Sequence, residues 1–285
     1  MHSLFYNYVD IYIHKILYLG KEGERLETKV QTALIQGQKH KRTQMPCQDA
    51  CGYCVTPDGW LVLSVADGVS ASPLSEEAAQ AAVEAVKDFF QAFAAVPLAA
   101  ESMHTVLQAA MNYALARTED VRTREPGAGE TTLELAVLTP DERLFLQYVG
   151  DGGIYVQTRD ETWLSLAEKM RDGEGSVAVL SDGPQKWRFT HRSLKKVTAL
   201  LMTTDGVRQK IDEDPDAAGL FLPWEDGNYQ EHCEKALLTQ AMRSMDDDAA
   251  LVMWRAETTS LLQRPEEKPD GFLQRLARTM KNLFC

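Results

Sequence analysis

The chain has 285 residues, enough for one large domain or two small ones. Its composition, 44% hydrophobic and 25% charged, is that of a globular protein, and no run reaches the 18 or more apolar residues of a membrane-spanning helix. The net charge of -12 argues against a nucleic-acid surface, and five cysteines without framework spacing indicate a reducing compartment. We therefore expect a cytoplasmic protein with no transmembrane segment and no nucleic-acid partner.

The predicted elements follow in chain order. Residues 1–27 form an extension that adds a strand or a helix to the core. Three strands come next, at 30–35, 50–55 and 60–66. A turn at 56–59 joins the last two. Two helices follow, the first with Ser72 as its cap and Pro73 at its first position. The apolar residues of both helices recur at helical spacing, so each helix should present one face to the core.

From Thr131 the spacing changes to that of strands, short and closely spaced as in an antiparallel meander. The runs lie at 131–138, 143–149, 154–158, 162–166, 187–191 and 197–203. A helix at 228–243 and a strand at 249–255 end the pattern. Strands, two adjacent helices and more strands predict an α+β fold, a β-sandwich of two antiparallel sheets flanked by helices.

We expect this domain to span residues 28–258. A polar linker and an amphipathic helix follow at 259–285, with basic side chains away from the apolar face. The helix either packs on its own domain, which we favour, or binds a membrane surface or a partner groove.

Three of the apolar runs end in the same way, in an aspartate followed by a glycine. These aspartates are Asp67, Asp151 and Asp205. Asp-Gly is also a common turn, and five further copies lie in polar or proline-rich surroundings where a turn explains them. A carboxylate at the end of a buried strand is costly unless a cation is present. With the acidic triplet 246–248, the three strand ends predict an oxygen-only site for Mg²⁺ or Mn²⁺.

Five acidic motifs stand in the order and approximate spacing of the metal-dependent protein phosphatase 2C family, which the chain resembles from about residue 30 to residue 255. They are Gln48-Asp49-Ala50, Ala66-Asp67-Gly68, Gly150-Asp151-Gly152, Thr204-Asp205-Gly206 and Asp247-Asp248. The resemblance implies a β-sandwich flanked by helix pairs. It also implies hydrolysis of phosphoserine and phosphothreonine in proteins by a hydroxide that bridges two Mn²⁺ or Mg²⁺ ions. Phosphoprotein substrates and a cognate Ser/Thr kinase are the implied partners, in a bacterial-type protein.

The resemblance also implies roles for individual residues. Asp67 would bridge both metals, and the carbonyl of Gly68 would be a ligand of the second. Asp205 and Asp247 would complete the first metal. Asp49 would hold a metal-bound water through a hydrogen bond. The ligand set thus consists of carboxylates and one carbonyl, in keeping with a hard divalent ion.

Asp151, together with Asp205, resembles the residues that support a third, weaker metal in bacterial members of the family. Three departures from the family pattern concern other positions. Gln48 replaces an acidic residue, the loop at 69–71 lacks the histidine general acid of many eukaryotic members, and Ala250 replaces a threonine or serine.

The phosphate-binding arginine of the family falls on Gln44 in this chain. Arg42 and His40 are the nearby cations, and we assign the role to Arg42. The family's metal site is therefore retained with one carboxylate fewer around the second metal, because of Gln48, and its contact with the substrate phosphate has changed.

Two alternatives remain open. The first is a phosphatase-like binding or regulatory module that has lost catalysis. Such a module would also show the departures at Gln48, at the displaced arginine and at Ala250. Separately, the spacing of Cys47, Cys51 and Cys54 resembles the iron–sulfur motif of radical S-adenosylmethionine enzymes. A strand across 50–55 would point the last two thiols to opposite faces, which argues against a shared cluster.

Overall fold

The computed structural model describes residues 10–19, 25–92, 100–213 and 245–256. Its strands are β1 (Asp10–Leu19), β2 (Arg25–Ile35), β3 (Asp49–Val55), β4 (Leu61–Asp67), β5 (Leu133–Thr139), β6 (Arg143–Val149), β7 (Gly153–Thr158), β8 (Trp163–Ser165), β9 (Arg188–Ser193), β10 (Val197–Thr203) and β11 (Ala249–Ala256). Its helices are α1 (Gln38–Thr43), α2 (Ser75–Ala92), α3 (Ala100–Arg122) and α4 (Asp205–Glu213), with a 3₁₀ turn at Leu180–Asp182. None of the helices in the described ranges is long and apolar enough to cross a membrane.

The strands form two antiparallel sheets, which confirms the predicted sandwich. One sheet has six strands in the order β1-β2-β11-β10-β7-β8, and the other has five in the order β3-β4-β5-β6-β9. Alternate residues of β4 explain how the sheets pack. Leu61, Leu63 and Val65 face the layer between the sheets, whereas Val62 and Ala66 face the helices. Because both faces of β4 are buried, its sequence from Leu61 to Ala66 is apolar except for the buried Ser64 and shows no polar alternation.

Helices cover both outer faces of the sandwich. The α2–α3 pair packs on the five-stranded sheet. Most of the residues that the helical spacing assigns to the core are buried, whereas Phe89, Val106 and Leu115 are half-buried. On the other sheet, Val207 and Ile211 of α4 pack against Leu201 and Leu251. The helix predicted at 228–243 and the tail helix within 259–285 lie outside the described residues.

The N-terminal extension contributes a strand. Residues of β1 pair with β2 in one continuous antiparallel register, from Asp10 opposite Leu34 to Leu19 opposite Arg25. The strand therefore forms the outer edge of the six-stranded sheet in the described part of the chain.

The predicted meander is wrong at three connections, because the chain changes sheet between β6 and β7, between β8 and β9, and between β9 and β10. Strands β6 and β7 are consecutive in sequence, but β6 pairs with β5 and β9 whereas β7 pairs with β8 and β10. The chain crosses from one sheet to the other through Gly150, Asp151 and Gly152. Gly150 has φ +136, a conformation that residues with a side chain rarely adopt. The crossing places Asp151 at the end of the sandwich instead of in a hairpin.

The predicted start of the first long helix is also wrong. The helix α2 begins at Ser75, because Leu74 has φ +57 and cannot continue a right-handed helix. The hydroxyl of Ser72 instead donates to the carbonyl of Gly127 (2.7 Å) and accepts from the backbone N–H of Glu130 (3.0 Å). Ser72 therefore ties two loops together.

Candidate metal centre

The three aspartates that end apolar runs meet at one end of the sandwich. Asp67 is the last residue of β4, Asp151 lies in the crossing between the sheets, and Asp205 is the first residue of α4. One carboxylate oxygen from each lies within 4.8 Å of the others. The sequence pattern therefore corresponds to a real cluster in space.

Strand pairing explains why the three meet. Thr203 of β10 pairs with Gly153 of β7, so the residues just beyond this pair, Asp205 and Asp151, leave the sheet side by side. Asp67 reaches them from the facing sheet. The cluster is thus assembled across the sandwich, from residues far apart in sequence.

Asp49 lies beside this cluster as the cross-strand partner of Asp67. The hydroxyl of Thr204 donates to its carboxylate at 2.7 Å and accepts from the backbone N–H of Ala250 at 2.9 Å. The sequence did not single out Thr204, although it directly precedes one of the predicted ligands. The hydroxyl holds Asp49 in place at the edge of the site.

The cluster concentrates negative charge in a poorly solvated place. Burial, followed by the charges of its acidic neighbours, raises the pKa of Asp67 well above the ordinary aspartate value. The same two causes raise the pKa of Asp205, with Asp151 as the leading neighbour. For Asp49, burial raises the pKa while the hydrogen bond from Thr204 opposes the rise. Carboxylates in this position gain from any nearby cation.

The acidic triplet divides into residues with different surroundings. Asp246 is exposed and Asp247 is half-buried, whereas Asp248 is buried. Asp247 lies close enough to Asp67, Asp49 and Asp205 for its charge to raise the pKa of each. It therefore lies beside the cluster formed by Asp67, Asp151 and Asp205.

Asp248 is fully engaged in hydrogen bonds. It accepts from the backbone N–H of Gly37 (2.7 Å) and of Gln48 (2.6 Å), and His40 Nδ1 lies 2.7 Å from its Oδ2. These contacts fix the start of α1 and the approach to β3. Asp248 is thus a structural residue of the corner that presents Asp49 and Asp247.

Two glycines hold the backbone of the acidic triplet in place. A methyl group on Gly37 would overlap the backbone of Asp247, and one on Gly206 would overlap the carbonyl of Asp248. The turn therefore packs directly against the main chain of its neighbours on both sides.

Gly68 likewise has no room for a side chain. A Cβ there would lie 2.7 Å from the carbonyl oxygens of Gln48 and Ser75. Its own N–H donates to Gln48 at 3.0 Å. The close packing fixes the Gly68 peptide immediately after Asp67.

The two cations near the predicted phosphate site have different positions. His40 is buried against Asp248, so its ring is occupied by a structural contact and the phosphate role considered for it does not fit. Arg42 lies on the exposed side of α1. Its side chain is 74% exposed, with a guanidinium nitrogen 4.0 Å from a carboxylate oxygen of Asp246.

Two arginines that sequence reasoning missed contact the site. Arg208, buried in α4, donates to the carbonyls of Asp151 (3.2 Å) and Gly152 and so holds the crossing between the sheets. Arg171, in the loop between β8 and β9, contacts the carboxylates of Asp151 and Asp205. Neither lies in a motif, and only their positions in the fold reveal them.

The three cysteines in the described residues, Cys47, Cys51 and Cys54, do not form a metal site. Cys51 faces the layer between the sheets, and Cys54 packs under the helices, as the alternation of β3 predicts. Burial raises the pKa of Cys51 to about 12 and that of Cys54 to about 11, and it also raises the pKa of Cys47. Among the described residues, the only cluster suited to a metal is that of the three aspartates. The iron–sulfur alternative therefore lacks a site.

The residues present fit hard divalent ions. The cluster offers carboxylate oxygens as donors, and the close contacts of Gly68 fix its peptide next to Asp67. Mutual repulsion and burial leave the carboxylates short of positive charge, which divalent ions supply.

Comparison with known proteins gives a family match and several similar folds. A sequence model of the family described as Protein phosphatase 2C matches residues 36–243. A search of curated proteins gave no significant match. Among solved structures, the serine/threonine phosphatase Stp1 from Staphylococcus aureus is similar with a TM-score of 0.66 and 16% identity, over 86% of this chain and 99% of that one.

Two further solved structures contain divalent ions. The catalytic domain of the serine/threonine protein phosphatase PstP, in complex with two manganese ions, has a TM-score of 0.55 and 15% identity, over 87% of this chain and 97% of that one. RsbX in complex with magnesium has a TM-score of 0.52 and 14% identity, over 88% of this chain and 100% of that one. At these identities the likeness shows the fold.

Proposed function

The chain belongs to the protein phosphatase 2C family of serine/threonine phosphatases, and on this premise we propose that it hydrolyses phosphoserine and phosphothreonine in proteins with the help of Mn²⁺ or Mg²⁺. One observation carries the proposal: the carboxylates of Asp67, Asp151 and Asp205 lie within 4.8 Å of one another at the end of the sandwich. Phosphate monoesters hydrolyse so slowly unaided that strong electrostatic stabilisation of the transition state is required.

We assign the ligands as the sequence predicts. Asp67 would bridge two ions, the carbonyl of Gly68 would bind one of them, and Asp205 and Asp247 would bind the other. Ions held by these residues would supply the positive charge that acidifies an attacking water and neutralises the phosphoryl oxygens. Asp49, held by the hydroxyl of Thr204, would orient a water at the edge of the site.

Arg42 is the candidate cation for the substrate phosphate. Its exposure supports this role, because a guanidinium at the surface can reach a bound phosphoprotein without first losing a buried partner. Arg42→Ala should raise KM for a phosphopeptide more than it lowers kcat, and an unchanged KM would remove Arg42 from the site.

No serine or cysteine nucleophile is required by this proposal. The thiols of Cys51 and Cys54 are neutral at ordinary pH because burial raises the pKa of each. Their sequestration within the core supports a reaction in which water attacks the phosphorus directly.

We further propose, from the family and the composition, that the protein works in the cytoplasm on substrates of a cognate Ser/Thr kinase. The competing proposal of a non-catalytic regulatory module rests on Gln48. Its amide donates to Ser75 at 2.7 Å, where the family has a carboxylate, so one negative charge is missing near the second ion.

One experiment separates the two proposals. Hydrolysis of a phosphothreonine peptide is measured with and without Mn²⁺ for the wild type and for Asp205→Asn. Turnover that requires Mn²⁺ and is lost in the variant supports the phosphatase. Binding of Mn²⁺ without turnover supports the regulatory module. If the protein shows no Mn²⁺ binding and no turnover, both proposals are overturned.

A further inference from the structure

A short hairpin between β8 and β9 lies against the carboxylate cluster. Arg171 and Val177 form an antiparallel bridge, and the carboxylate of Asp172 closes the turn by accepting from the backbone N–H of Ser176 at 2.8 Å. At the base of the hairpin, the N–H of Met170 donates to the carbonyl of Gly150 at 3.0 Å. We call residues 170–178 the site hairpin.

Arg171 joins this hairpin to the cluster. Its Nε donates to Asp151 Oδ2 at 2.6 Å, and one terminal nitrogen contacts the same oxygen and lies 3.3 Å from Asp205 Oδ2. The other terminal nitrogen donates to the carbonyl of Gly175 at 3.0 Å. All three guanidinium nitrogens are therefore engaged, two with the carboxylates and one with the tip of the hairpin.

The contact with Asp151 is well shielded from water. The Asp151 side chain is 4% exposed, although the arginine itself is 45% exposed. Since a guanidinium keeps its charge at any ordinary pH, Asp151 and Asp205 share a permanent positive partner. Both oxygens that face Arg171 would have to turn toward any metal ion that entered between these two aspartates.

We propose that the Arg171 guanidinium is the built-in cation of the Asp151–Asp205 pair, and that a third metal ion binds there only after Arg171 and the site hairpin move away. The inference rests on the proposed metal-dependent function and concerns the number of ions. It assigns two bound ions to this chain at metal concentrations that saturate the site at Asp67. The site hairpin is then a clamp whose position depends on which cation the pair holds.

The test is a titration of the metal-stripped full-length protein with Mn²⁺, followed by calorimetry and by metal analysis after equilibrium dialysis. Arg171→Ala is the test variant and Arg171→Lys restores a cation. Lys169→Ala is the matched control, because Lys169 is 50% exposed and pairs with Asp212 outside the cluster, at 2.7 Å.

The wild type and Lys169→Ala should each bind two ions. Arg171→Ala should bind three, with a third Kd at least about tenfold lower than any third binding seen in the wild type. Arg171→Lys should fall between the two. In Arg171→Ala, backbone amides of the site hairpin should also exchange hydrogen faster, since Gly175 loses its donor.

Other outcomes overturn the inference. Equal stoichiometry and affinity in wild type and Arg171→Ala would show that Arg171 does not compete with a metal, while two bound ions in both would leave the phosphatase proposal standing. Three ions in the wild type, with the site hairpin as protected as before, would also refute it. No binding by either protein would remove the metal centre itself. If Arg171→Ala does not fold, Arg171→Gln removes the charge but keeps a longer polar side chain, and it gives the same comparison.

Discussion

Two buried acidic regions, close together at one end of the sandwich, have opposite surroundings. Asp248 accepts two backbone N–H groups and lies against His40, so its oxygens are satisfied by the protein itself. Asp67 instead faces other carboxylates, and burial with like charge raises its pKa. The difference shows that an aspartate bonded on all sides serves the fold, whereas aspartates that repel one another mark a place for a cation.

Removing a repelling carboxylate should give the largest effect, on turnover. Asp67→Asn should lower Mn²⁺-dependent kcat by about a thousandfold, the scale of losing a main electrostatic contribution to the transition state. Without metal, the same change should leave the free energy of unfolding equal or higher, because one buried negative charge is gone. Urea denaturation with and without Mn²⁺ measures this. Lower stability without metal would mean that Asp67 is a structural residue after all.

Removing the satisfied carboxylate should have the opposite consequence for stability. Asp248→Ala leaves buried donors without an acceptor and should lower the free energy of unfolding by about 3 kcal/mol. Asp246→Ala is the control, because that side chain is 86% exposed and its loss should change stability by less than about 0.5 kcal/mol. Similar values for the two variants in urea denaturation would break the comparison.

The hydroxyls of two adjacent threonines sharpen the comparison further. Thr204→Val removes the donor to Asp49 and should weaken Mn²⁺ binding by about tenfold to a hundredfold, as loss of an outer-shell partner does. Thr203 is fully buried, and its hydroxyl has no hydrogen-bond partner in the described residues. Thr203→Val should therefore leave metal binding unchanged, as measured by calorimetry. Equal losses in both variants would point to packing rather than to the hydroxyl.

The smallest effect is expected at Cys54, a buried thiol outside the carboxylate cluster. Cys54→Ala should lower the free energy of unfolding by about 1 kcal/mol through lost packing and leave Mn²⁺-dependent turnover unchanged. A large loss of turnover, or a coloured iron-containing protein after anaerobic purification, would restore the cysteine alternative.

The acidic residues of the site could be predicted from the sequence because the pattern that marks them is local. An apolar run that stops at Asp67, Asp151 or Asp205 puts a charge where a strand leaves the core, and the fold then brings those ends together. The sandwich and both long helices follow from residue periodicity in the same way. The family resemblance supplied the roles, which remain predictions for the individual ligands.

The features that the sequence did not reveal depend on long-range position. The spacing of β6 and β7 is the same whether they form a hairpin or cross between sheets, and only the pairing of each with other strands decides. Asp247 and Asp248 are likewise identical in type and adjacent, yet only one is buried with its bonds filled. Arg171 lies in a polar loop with no periodicity, so its contact with the carboxylates of Asp151 and Asp205 had no signal in the sequence.

The packing of Gly37 and Gly206 around the acidic triplet has a consequence for how this site can diverge. Neither residue offers a functional group, yet each is in contact with main chain, so a change at either would displace the backbone that carries Asp247. Substitution of the acidic side chains, by contrast, costs no space. Evolution can therefore change which ion is preferred by exchanging the acidic side chains. The two glycines must stay, because the turn keeps its position only where no side-chain atom is present at these two residues.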